Sequence, residues 1–234
     1  MSTTTLRPIA IALAATLTLF ATLRPAHAQP AKAKYPAMAP INQYLIPNQN
    51  AEIALARTAA PPSISGAATI MVLDRTGYHT AVKGANGFVC VVERAWDSNL
   101  GAPEFWNPKN RSPDCFNAAA ARSYLPIVLL RAKLLLAGKS TAQMAQATKA
   151  AFASGQLPPL APGAMSYMMS KQQYLNDEAH NWHPHLMFFV SGDSAATWGA
   201  NLPGSPVLAS SDSLDHLTIM MVVVHHWSDG TPAP

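Results

Sequence analysis

The apolar positions of this chain fall into blocks of different period. Between Ala68 and Trp96 they form short runs separated by turn residues: Ala68–Leu73, Tyr78–Lys83 and Phe88–Trp96, divided by Asp74-Arg75-Thr76-Gly77 and Asn86-Gly87. Such runs predict strands, and Asn-Gly is a strong hairpin signal because both residues tolerate a positive φ. Phe88-Val89-Cys90-Val91-Val92 is apolar at every position, which predicts a central strand covered on both faces. From Asn117 onward the period lengthens. Asn117 can cap a helix through Tyr124, Pro126 suits the first turn of another running to Ala137 with Gly138 as its stop, and Ser140 stands three residues before Gln143, a capping-box spacing that opens a third helix to about Ser154. Strands return at Ala164–Lys171, His185–Val190 and Leu217–His225.

Ahead of these blocks, Gln49–Ala59 reads as a short helix stopped by Pro61-Pro62, and the Ala- and Pro-rich stretch 29–48 as an extended or mobile arm. Gly101–Pro113 reads as a loop. Hairpins, then helices, then strands predict an α+β fold, a single domain over 49–230 with a mainly antiparallel sheet covered by two or three helices.

The N-terminus has the pattern of a secretory signal. A short polar region with one positive charge precedes fifteen apolar residues, Ile9–Leu23, and Ala26-His27-Ala28 supplies a small-x-small site, so cleavage is expected before Gln29. Fifteen residues is short of the roughly 20 that span a bilayer. Later in the chain Arg131 and Lys133 interrupt the apolar run Leu125–Leu136, so no transmembrane anchor is expected in the mature chain. The expected location is therefore periplasmic or extracellular. In such a compartment the two cysteines, Cys90 and Cys115, are expected to form a disulfide, although two separate buried thiols remain the alternative.

Composition narrows the function classes. Charged residues are 12% of the 234, about half the usual ~25% share, while hydrophobic residues are 49%. Without Arg7 and Arg24 the 16 basic residues become 14 against 12 acidic, a net +2 with no Lys/Arg run, which argues against nucleic acid as a partner.

Candidate chemistry centres on histidine. His180, His183 and His185 fall within six residues, and His216, His225 and His226 within eleven. Pro184 biases His183 toward an extended conformation, and side chains at i and i+2 of a strand share a face. If His185–Val190 pairs antiparallel with Leu217–His225, then His225 or His226 reaches the rim that holds His183 and His185. Three imidazoles there could hold zinc or copper, with water in the fourth position. The bland alternative is rim histidines with no ligand.

A remoter reading, a serine hydrolase, starts from Gly192-Asp193-Ser194 after an apolar strand; the triplet resembles the Gly-Asp-Ser of one esterase family, but the Asp-x-x-His of that family is absent. A metal-free alternative is a module for a small ligand or partner, with Trp96, Trp106, Trp182, Trp198 and Trp227 in or beside loops where they can line a pocket or close the core. The methionines, including Met168, Met187 and Met220, read as packing rather than as copper ligands. Glu93 and Arg94 end a central strand, as a buried pair or a polar rim, with no partner assigned.

The stretches EFWNP (104–108), CFN (115–117), YMMSKQQYLND (167–177), WHPHLMFF (182–189) and WGANLPGSP (198–206) resemble an uncharacterised family of exported bacterial proteins. The resemblance covers roughly Ala51–Gly230. It implies export and a single domain, and it carries no activity, cofactor or catalytic residue.

Overall fold

The computed structural model describes residues 34–234, so the N-terminal apolar run, the cleavage site and residues 29–33 lie outside the described residues. Residues 34–48, the described part of the expected extended or mobile arm, are tied to the domain at Tyr44. A 3-10 turn at Ile41–Gln43 delivers Tyr44, wholly buried, against Trp96 with ring centroids 4.5 Å apart. The Tyr44 hydroxyl donates to Trp106 O at 2.8 Å, and its carbonyl accepts from Arg94 Nε at 2.7 Å. One buried aromatic with both polar ends satisfied ties down a stretch that has no period of its own.

Eight strands form one sheet: β1 (Thr69–Asp74), β2 (Gly77–Val82), β3 (Val89–Glu93), β4 (Ser112–Phe116), β5 (Met165–Met168), β6 (His185–Ser191), β7 (Val207–Asp212) and β8 (Leu217–Val223). Their order is β2-β1-β3-β4-β5-β6-β8-β7, and every neighbouring pair is antiparallel except β1 with β3. The fold is α+β, as expected.

The helices divide between the two faces. α1 (Gln49–Arg57) and α2 (Pro62–Ser65) precede β1, and Ala56 and Ala60 pack with Cys90, Val92 and Cys115. On the opposite face α3 (Ala118–Ser123), α4 (Leu125–Leu136) and α5 (Thr141–Ala153) cover Val91, Phe116, Met187 and Phe189. β3 is therefore buried from both sides, because its odd and even positions point to different cores. The helix boundaries follow the caps: Asn117 accepts from Ala120 N, Ser140 and Gln143 form a reciprocal capping box, and Gly138 takes φ 72° after α4.

Three features differ from the sequence expectation. Asn86-Gly87 makes no hairpin, since β1 lies between β2 and β3. Asn86 instead donates to Ile64 O at 2.7 Å and accepts from Phe88 N at 3.1 Å, turning the chain against α2. Gly84 makes the close approach possible, because a Cβ there would lie 2.2 Å from the Ala68 and Thr69 backbone. The expected loop before Pro113 ends in a strand, β4, all five of whose residues are buried. Pro113 is tolerated because β5 pairs only with Cys115 and Phe116, so the missing N–H breaks no ladder on that side. Finally β7, whose sequence turns polar from Ser210 onward, pairs with β8 and forms an edge.

Candidate ligand site at the end of the central strands

Cys90 and Cys115 are directly opposed on β3 and β4 and are disulfide-bonded. That register also sets Val91 opposite Asp114 and Glu93 opposite Ser112, all pointing to the face covered by α3–α5. Arg94, the next residue, turns the other way. Its Nη2 lies 2.9 Å from Glu52 Oε1 on α1, its Nη1 donates to Val92 O, and Glu52 Oε1 also accepts from Leu73 N at 3.2 Å. The two adjacent residues thus part: Arg94 is neutralised on one face, and Glu93 has no cation in ion-pair contact on the other.

Past Arg94 a 3-10 turn, Ala95–Asp97, folds Asp97 back so that its Oδ2 accepts from Arg94 N at 2.8 Å and lies 3.2 Å from the Tyr78 hydroxyl. Its Oδ1 has no partner, nor has Glu93 Oε1, and both residues line a cavity of about 500 Å³. Met168, Met187 and Ile219 form its sheet side, on three different strands, and Tyr124, stacked on Phe189 at 4.0 Å, forms a wall. Glu104 and Glu178 approach from two loops. Glu104 Oε2 accepts from Asn107 Nδ2 at 2.8 Å and from Asp177 N at 3.1 Å, which joins the two loops. Asp177 gathers the nearby surface cations, Lys34 and Lys109, together with the Tyr35 and Tyr174 hydroxyls.

Burial sets the protonation of the site. Glu93 is held well above the usual carboxyl range, first by desolvation and then by Asp114 and Asp97. Desolvation likewise raises Asp97 to about 7 and Asp114 to about 8. The Asp114 carboxyl lies beside Ser166 and the Cys115 N–H, yet makes no hydrogen bond of good geometry, and the Ser166 hydroxyl is also unpartnered. Carboxyl groups kept neutral in an apolar recess can donate a hydrogen bond to a ligand or give up a proton when a positive charge arrives.

The histidines share this end of the sheet. β6 pairs with β8 antiparallel as expected, with Val190 opposite Thr218 and His185 opposite Val223. Val224 N donates to Pro184 O at 2.9 Å, which brings the His183 and His225 segments side by side. His185 is buried and its Nδ1 lies 2.8 Å from His183 O; burial lowers its pKa, whereas His183, His225 and His226 are exposed. The Trp182 ring sits against both His183 and His185, with centroids at 5.9 and 4.8 Å. Among the described residues no three His, Cys, Asp or Glu side chains are grouped to hold a metal ion. His185 is, however, the cross-strand partner of Met168, which lines the cavity.

Of the other candidates, Ser194 Oγ donates to Ser191 O rather than capping the following 3-10 turn, and Asp193 accepts from Ser211 Oγ. Trp96 and Trp227 are core residues, while Trp198 is exposed. Sequence reading named Glu93 but missed Asp97, Asp114 and Glu104. A usable signal for Asp114 was present: once Cys90 and Cys115 are paired across antiparallel strands, Asp114 must oppose Val91, on the same face as Glu93.

No protein-family model, curated protein or solved structure matches this chain.

Proposed function

We propose that this chain is an exported protein whose domain binds a small organic ligand in the cavity beside Glu93 and Asp97. The carrying observation is a cavity of about 500 Å³ lined by Glu93 and Asp97, two buried carboxyl residues that each hold an oxygen with no protein partner. Leaving a buried polar atom unpaired costs about 1–3 kcal/mol, and a ligand that pairs with it recovers that energy. The volume and the mixture of apolar wall with a few polar groups suit a small molecule. Export accords with the disulfide and with the N-terminal apolar run. Among the described residues no helix is long and apolar enough to cross a membrane.

A thermal-shift screen of small polar organic molecules tests the pocket. Binders are expected, and their shifts should shrink in Glu93→Gln; binders indifferent to both Glu93→Gln and Asp97→Asn would place the ligand elsewhere. Intact mass of protein from the exported fraction should begin at Gln29, and retention of residues 1–28 would defeat the export reading.

A second reading keeps the histidine rim, with zinc or copper held by His183, His185 and His225 or His226. The pairing of β6 with β8 and the proximity of the His183 and His225 segments favour it. An Nδ1–H···O bond to a carbonyl is also how a metal-binding histidine is commonly oriented. Zinc added to chelator-treated protein should then raise Tm, and His183→Ala should abolish the rise; an unchanged Tm removes this reading.

A further inference from the structure

We infer that the cavity takes an organic cation, a small ammonium ion carried on an apolar body. The inference rests on the ligand-pocket reading above and adds the charge of the ligand. It starts from the balance of buried charge. Five carboxyl residues, Glu52, Glu93, Asp97, Asp114 and Asp215, are buried against two guanidiniums, Arg94 and Arg131. Both guanidiniums make their ion pairs elsewhere, and Arg131 Nε is left without a partner. Arg94 pairs with Glu52, and Arg131 Nη2 reaches both Asp215 oxygens at 2.8 and 2.7 Å. Glu93, Asp97 and Asp114 have no cationic side chain in ion-pair contact, and the two of them that line the cavity each hold an unpartnered oxygen.

The surroundings favour the same sign. Glu104 and Glu178 add carboxylates from the loops, and the one basic residue of the lining, Arg94, has its guanidinium bound to Glu52 and Tyr44 O. The nearby surface lysines, Lys34 and Lys109, are held by Asp177. An anion would face carboxyls with no basic side chain to receive it. A cation finds a lining that includes the Glu93 and Asp97 carboxyl groups and the Tyr124 ring, while Met168, Met187 and Ile219 suit an apolar body. Among the described residues no three His, Cys, Asp or Glu side chains are grouped to hold a metal ion.

The groups facing Glu93 are Asp114 on β4, Asp97 in the 3-10 turn, Arg131 and Tyr124 from α4 and its start, Tyr78 on β2 beyond Asp97, and the two loop glutamates. In the empty cavity burial and the neighbouring carboxyls keep the proton on Glu93. When an ammonium ion enters, the carboxyl ionises, its proton passes to solvent, and the ion pair replaces the acid. Binding therefore strengthens as pH rises toward neutrality and releases up to about one proton.

Titration calorimetry on the mature chain tests this with three probes that share a body: 2-phenylethylammonium, 2-phenylethanol and 3-phenylpropanoate, in two buffers of different ionisation enthalpy between pH 5.5 and 8. The ammonium ion is expected to bind at least about tenfold more tightly than the alcohol, and the carboxylate more weakly than either. Proton release should be visible as a buffer-dependent enthalpy. Glu93→Gln should cut ammonium affinity by about tenfold or more, with little change for the alcohol; Asp97→Asn serves if that variant does not fold. Equal binding of alcohol and ammonium, preference for the carboxylate, or displacement by calcium chloride alone overturns the cationic class and leaves the pocket reading intact. Binding of other molecules but none of the three also overturns the cationic class. A cavity that binds nothing in the wider screen overturns both.

Discussion

On the α1 side of β3, the buried carboxylate of Glu52 meets the Arg94 guanidinium at 2.9 Å, and Tyr44 O and Val92 O accept from its Nε and Nη1. One residue back along the chain, on the other face, Glu93 is similarly buried and has no guanidinium in contact. The same functional group has opposite consequences on the two faces. Where each charge has its partner, burial locks the arm, α1 and β3 together. Where the partner is missing, burial keeps a carboxyl neutral beside open volume, a cost to the folded state that a ligand can relieve. A buried acid therefore indicates a structural or a binding role only when its partners are counted.

The sharpest way to break the contrast is to remove the cation from the satisfied face. Arg94→Met leaves Glu52 buried and unpaired, and chemical denaturation should show a loss of about 3–5 kcal/mol. Adding Glu52→Gln should recover much of it. A loss below about 1 kcal/mol in the single variant would show that the two faces do not differ in this way.

The next effect is read through pH. Asp97 and Asp114 sit at about 7 and about 8 in the folded chain, above their ordinary value of 3.8. The folded state holds protons that the unfolded state has already released above pH ~4, so stability should fall as pH rises from about 4 to about 8 and then level off. Asp114→Asn should flatten part of this slope, gaining on the order of 2–3 kcal/mol at pH 8 and almost nothing at pH 4. Stability that rises with pH across this window would contradict the protonated cluster.

The smallest change in stability is expected at Glu93 itself. Glu93→Gln replaces a protonated carboxyl with an isostere, and at pH 5 the stability should change by no more than about 1 kcal/mol. A large loss at pH 5 would mean that Glu93 holds the fold together in the manner of Glu52. That would move it to the structural side of the comparison.

Local signals were legible without coordinates. Asn117 and Ser140 cap the helices they precede, Gly138 ends α4, and the apolar run of β3 is covered on both faces. Cap and turn chemistry acts over three or four residues, so it is written in adjacent letters. The misses have the opposite character. Asn86-Gly87 carries a hairpin signal, but the approach of Gly84 to Ala68 and the anchoring of Asn86 on Ile64 send the chain across the sheet instead. β4 carries a proline and an aspartate, and its start reads as the end of the loop through Pro113 until β3 is placed against it.

What the sequence determined by itself was the α+β class and the helix limits, with the two cysteines expected to pair and the register then placing them face to face. The tertiary structure alone decided which of the few charged residues are neutralised. Glu93 and Arg94 are adjacent, and nothing in their order says that one will meet Glu52, 42 positions away, while the other faces an opening. A strand sends successive side chains to opposite faces, so partners are set by whatever packs on each face, and those partners come from distant segments.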